Sequence, residues 1–118
     1  MVAGPYRSSS ADPAVWAANL HALNEAALAL YRLGHVPLIG VNMALPVIEA
    51  AGGDEAAFGA IMMPLSLALS DRCDACLRVG GASRGADAEV ARFEASGRPV
   101  YRDLEAVPSA ATATEAAT

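Results

Sequence analysis

The chain contains no lysine: all eight of its basic residues are arginine. That excludes Schiff-base chemistry and a Walker-type phosphate lysine. Histidine is scarce, with two in 118 residues. Neither lies at metal-ligand spacing, so no zinc set is expected and no metal or cofactor is called for. Cysteine is limited to Cys73 and Cys76, in "CDAC". A thioredoxin-type pair needs this spacing at a helix N-terminus. Here it falls where a helix ends and a strand begins, so both read as small core residues. Aromatics are few: one Trp, three Tyr and two Phe in a chain that is 54% apolar and rich in alanine. Such a core is built from closely packed helices rather than aromatic layers. No stretch reaches ~18 uninterrupted apolar residues and no charged segment precedes an apolar core, so a soluble, cytoplasmic protein is expected. Positive charge is also in deficit. The net charge of −5 argues against nucleic acid or an anionic membrane as partner.

What is present reads as one α/β domain over residues 1–107. "MVAG" forms a first strand, stopped by the turn-rich "GPYRSSS". Asp12 caps a helix that starts at Pro13 and ends near Gly34, with Leu20, Leu23, Ala27, Leu30 and Tyr31 on one face. "HVPLIGV" reads as a second, buried strand made irregular by Pro37. A short helix over 43–51 is interrupted by Pro46, and a helix over 54–71 is bent at Pro64. "DACLRV" is a third strand, 85–96 a helix and "PVY" a fourth strand. Strands alternating with helices imply a small parallel sheet of four to five strands with helices on both faces. Residues 108–118, small and polar, read as a disordered tail. So small a sheet points to a homodimer or larger homo-oligomer that covers one side.

Two glycine-containing loops leave the carboxyl ends of strands, where parallel sheets bind ligands. The second, "GGASRGADAE", opens a helix whose free amides and dipole favour an anion. Ser83 contributes a hydroxyl, Gly85 allows close approach, Arg84 adds charge and Glu89 ends the first turn. The same residues also describe an ordinary helix start, with Ser83 as cap and Glu89 as a solvated acid. The first loop, "AGPYRS", offers Gly4, Pro5, Tyr6, Arg7 and hydroxyls, groups suited to a phosphate or sugar; a plain surface turn is the alternative. Asn42, at the end of the second strand, is a candidate ligand contact. Met43, Met62 and Met63 are either core or the lining of an apolar slot. His35, just after a helix stop, either reaches the site or is a rim or packed residue, and His21 reads as exposed.

"AGPYRS", "RCDACLRVGG" and "SRGADAEVA", in this order over residues 2–107, resemble the nucleoside 2-deoxyribosyltransferase superfamily, most closely its small bacterial and phage members. The phrase S-x-G-x-x-x-E, here Ser83, Gly85 and Glu89, carries most of the likeness. The resemblance implies a flavodoxin-like, oligomeric protein that binds a nucleoside or nucleotide. It also implies that Glu89 attacks the anomeric carbon. Ser83 and the loop from Gly4 to Ser9 then hold the sugar or 5′-phosphate, with Arg7 on the phosphate. A carboxylate suits the oxocarbenium-like centre of N-glycoside cleavage, and nearby amides and Arg7 are expected to keep Glu89 ionised. Two positions depart from the family pattern. The first-strand tyrosine has no counterpart other than Met1, and Ser66 stands where relatives carry the aspartate that protonates the leaving base. Asp71 and Asp74 are close in sequence but read as helix-end and strand-start residues. The departures leave three alternatives: slow activity, a different leaving group, or a catalytically silent nucleotide-binding module. A purely structural oligomer is a third class of reading.

Overall fold

The computed structural model describes residues 1–8 and 10–110. Three short parallel strands form the sheet: β1 (Val2–Ala3), β2 (Cys76–Arg78) and β3 (Val100–Tyr101), side by side in chain order. Val2 lies opposite Leu77, and Cys76 opposite Val100. Four helices accompany them: α1 (Pro13–Arg32), α2 (Gly40–Ala50), α3 (Glu55–Ser70) and α4 (Arg84–Ala95). A 3₁₀ turn over Leu104–Ala106 follows β3.

Side chains alternate across strands so short that each contributes only one or two residues per face. Met1, Ala3 and Cys76 point to one face and pack with Ala86, Val90 and Phe93 of α4. Val2 and Leu77 point to the other and meet Leu23 and Leu30 of α1. The sheet is therefore covered by helices on both sides. A third cluster, Ala44, Ile48, Ala57 and Met62, joins α2 to α3 as a helical hairpin.

Local signals account for the helix starts. Asp12 accepts a hydrogen bond from the Ala14 amide at 2.9 Å, with Pro13 in the first turn. Asp54 accepts from Ala57 at 2.8 Å, and Ser83 from Ala86 at 3.1 Å. Each such cap stabilises its helix by about 1 kcal/mol.

The "HVPLIGV" segment differs from the four- to five-stranded expectation. It forms a single parallel bridge, Ile39 with Val2, supported by the Val2 amide donating to Leu38 at 2.8 Å. Pro37 lacks an amide hydrogen and helix α2 begins at Gly40, so no residues remain for a ladder. Pro46 does not interrupt α2, which runs from Gly40 to Ala50 with Ala44 and Ile48 buried. Pro64 likewise lies inside α3. Of the expected tail, residues 108–110 are held against the end of α1: His35 Nε2 donates to the Pro108 carbonyl at 2.7 Å and the Ala110 amide donates to Leu33 at 2.8 Å. Residues 111–118 lie outside the described residues. Among the described residues no helix is long and apolar enough to cross a membrane.

Candidate functional site

The two loops meet at the carboxyl ends of the strands. Gly80 holds a positive φ of 76°, and a Cβ there would lie 2.7 Å from Pro5 Cδ. The position therefore admits only glycine without a shift. The Ser8 hydroxyl donates to Ser83 Oγ at 3.0 Å, tying the first loop to the start of α4. Asn19 Nδ2 donates to the Tyr6 carbonyl at 2.8 Å and Trp16 Nε1 to the Ser10 carbonyl at 2.6 Å, fixing the same loop on α1.

Between the loops and the α2–α3 hairpin lies a cleft of about 330 Å³. Its volume falls near the lower end of the ~300–1,000 Å³ usual for small-molecule sites. Gly4, Tyr6, Arg7, Ser83, Gly85 and Glu89 all line it. So do Ser8, Phe58, Met62, Met63 and Ser66. A larger cavity, about 570 Å³, opens near Met1, His35, Asp74 and Ala75. It sits at the amino ends of the strands, the end that parallel sheets do not use for ligands.

Glu89 is buried, 9% exposed, although it follows the first turn of a helix where a solvated acid was one expectation. Helical spacing from the core residues Ala86, Val90 and Phe93 turns it inward. The Ser66 hydroxyl donates to its Oε1 at 2.8 Å, and Ser66 is itself only 2% exposed. Oε2 accepts no hydrogen bond among the described residues. Burial pushes the Glu89 carboxyl above its ordinary value of 4.5. The Ser66 hydrogen bond, the Arg78 guanidinium and the Met1 amino group act in the opposite direction.

Arg7 does not supply the expected charge to Glu89. Its guanidinium lies between the rings of Trp16, 4.1 Å away, and Phe58, 3.7 Å away, and pairs with Glu55 at 3.1 Å. Its Nε is buried with no acceptor among the described residues. The side chain whose positive charge acts on Glu89 is Arg78, the last residue of β2. Its guanidinium donates to the Val79 carbonyl, to Gly81 at 2.8 Å and to Asp87 at 3.4 Å. An arginine inside the apolar run "ACLRVG" was the sequence signal for it.

Other candidates lie elsewhere. Asn42 is exposed on α2 and donates to Asn24 of α1 at 2.7 Å, because the chain has already turned into a helix where a strand end was expected. Pro5 packs against Gly80 and faces away from the cleft. Arg84 is exposed, and Met43, unlike Met62 and Met63, is on the outer side of α2. Ser9 lies outside the described residues. Asp71 pairs with Arg92 at 2.9 Å, and His21 with Glu25 at 2.6 Å. Cys73 and Cys76 are free and buried, and burial pushes the Cys76 thiol up to about 11. Among the described residues no group of three His, Cys, Asp or Glu side chains is placed to hold a metal ion.

Sequence reasoning missed Gly40. A Cβ there would fall 1.8 Å from Ser66 Oγ and 2.7 Å from Ser66 Cβ. Only a bare backbone lets α2 approach α3 closely enough to confine the hydroxyl that meets Glu89. Nothing in "LIGVN" reveals this, since the contact spans 26 residues of sequence.

The chain matches no protein-family model and no curated protein sequence.

Proposed function

We propose that the protein cleaves or transfers at the N-glycosidic bond of a nucleoside or nucleotide, with Glu89 as nucleophile. The observation that carries this reading is the placement of one buried carboxylate in a cleft shared with the first loop. Glu89 has an oxygen without a hydrogen bond among the described residues, and Gly4, Tyr6, Arg7 and Ser8 stand across from it. A carboxylate at that position stabilises a developing oxocarbenium ion and can trap it covalently. Preorganised electrostatics of this kind lower a barrier by about 3–4 kcal/mol. Ser83 and Gly85 flank the sugar, and Arg7, stacked between Trp16 and Phe58 and paired with Glu55, forms the wall of the cleft beside it.

The same reading places the chain with the nucleoside 2-deoxyribosyltransferase superfamily and its flavodoxin-like fold. The bridge from Ile39 to β1 supports it, because it sets the 38–39 segment beside β1 on the side away from β2. Exposed Met43 and Val47 on α2, with Leu28 and Tyr31 on α1, support a homo-oligomer. Two free thiols suit a reducing, cytoplasmic setting.

Ser66 favours a second reading, a catalytically silent nucleotide-binding module, since an alcohol replaces the leaving-group acid. Incubation with a panel of deoxynucleosides and their 5′-monophosphates separates the two. Base release that Glu89→Gln abolishes supports the enzyme. A thermal shift without base release supports the silent module, and neither response rejects both.

A further inference from the structure

Among the described residues that line the cleft there is one carboxyl group and no second acid suited to protonating a departing base. Among its described lining residues the ionisable side chains are Tyr6, Arg7 and Glu89. Arg7 is held by Glu55 and two aromatic faces. A phenol is a poor proton donor near neutral pH, far from the matched acidity that general-acid catalysis favours. The Ser66 proton is committed to Glu89 Oε1. A neutral base that leaves C1′ carries away the bonding pair and becomes an anion unless it is protonated. Loss of that assistance costs about 10²–10⁴ in rate. A ring that is already cationic departs as a neutral molecule and needs no proton.

We infer that the site acts on N-glycosides whose base bears a formal positive charge, a pyridinium or an N7-alkylpurinium; this rests on the N-glycosidase reading above. One Glu89 oxygen bonds to C1′ as the C1′–N bond breaks. The bonding pair returns to the ring nitrogen, cancels the ring's charge, and the neutral base leaves. Water then attacks C1′ of the glycosyl ester. The ester's C1′–O pair returns to the Glu89 carboxylate and the water's proton passes to solvent.

The charges in and around the cleft agree with this substrate. Arg7 and Glu55 neutralise each other, so an ionised Glu89 leaves one negative charge beside the sugar position. Arg78, the side-chain cation whose charge acts on Glu89, is occupied by two carbonyls and Asp87 rather than bonded to Glu89. A cationic ring brings the opposite charge that favours the ionised nucleophile; a neutral ring brings none.

The matched pair N7-methyl-2′-deoxyguanosine and 2′-deoxyguanosine, with their 5′-monophosphates, tests the inference on the full chain. Free base is measured by chromatography after subtraction of the enzyme-free rate. An enzyme with its own acid erases the methylated base's intrinsic advantage; one without an acid retains it. The expected kcat/KM ratio exceeds about 100 in favour of the methylated substrate, and Glu89→Gln abolishes both reactions. Ser66→Asp adds a donor and is expected to narrow the ratio at least about tenfold. If that variant does not fold, the wild-type ratio decides alone. A wild-type ratio below about 100 overturns the inference while leaving N-glycosidase activity standing. Release of no base from any substrate overturns both.

Discussion

Replacing Gly40 with alanine isolates the contact that positions Ser66. At an ordinary helical site Gly→Ala stabilises by roughly 0.5–1 kcal/mol, because it removes backbone freedom from the unfolded chain. Here the new methyl would sit 1.8 Å from Ser66 Oγ and 2.7 Å from Ser66 Cβ. Rotation of the hydroxyl relieves the first overlap but not the second, so α2 and α3 must also move apart. Overpacking of this kind costs about 1–3 kcal/mol. Displacing the hydroxyl also removes the 2.8 Å bond to Glu89, and hydrogen bonds to a charged group contribute about 1.5–3 kcal/mol. The unfavourable effects outweigh the propensity gain. Urea denaturation at pH 7 is expected to show Gly40→Ala destabilised by about 2–4 kcal/mol. In a Ser66→Ala background, where Oγ and its hydrogen bond are gone, the same change is expected to cost at least about 1 kcal/mol less. A stabilising Gly40→Ala, or an equal cost in both backgrounds, would refute the account of Gly40 as the residue that confines Ser66.

Three further outcomes follow from the same geometry. The raised pKa of Glu89 means that, between pH 4.5 and the folded pKa, the folded state holds a proton the unfolded chain has released. Stability therefore falls as pH rises from 4.5 through the folded pKa. Glu89→Gln, which still accepts from Ser66, should match wild type in thermal midpoint near pH 4 and exceed it at pH 8; equal midpoints at both pH values contradict the burial argument. Arg7→Ala removes the cation stacked on Trp16, the single tryptophan of the chain. It should shift Trp16 emission and cost about 0.5–2 kcal/mol in denaturation, whereas an unchanged spectrum denies the stacking. Cys76, buried with its thiol pushed up to about 11, should resist iodoacetamide in the native protein at pH 8 and react once urea unfolds the chain. Rapid native labelling of Cys76, located by peptide mass spectrometry, counts against its place in the core.

Much of the secondary structure followed from local chemistry. Asp12 before Pro13, Asp54 before an alanine-rich run, and Ser83 before Arg84 each satisfy amides within a few residues. Their effects are written in adjacent positions. The inward turn of Glu89 was partly legible too, since it shares a helical face with Ala86, Val90 and Phe93. The second strand was misjudged for a physical reason: apolar runs of this length suit a strand or the start of a buried helix equally well. Packing of Ala44 and Ile48 on α3 drew the chain into α2 at Gly40. That same turn carried Asn42 out of the cleft and onto Asn24.

Residue order alone thus settled the caps at Asp12 and Ser83, the existence of the four helices and of three strands, and the two loops that flank the cleft, because these depend on interactions spanning a few positions. Three-dimensional packing decided which charge stands near Glu89, which hydroxyl meets it and which glycine makes room for that hydroxyl. Arg78, Ser66 and Gly40 come from separate elements, and their juxtaposition exists only once α2, α3 and α4 have closed around the end of the sheet.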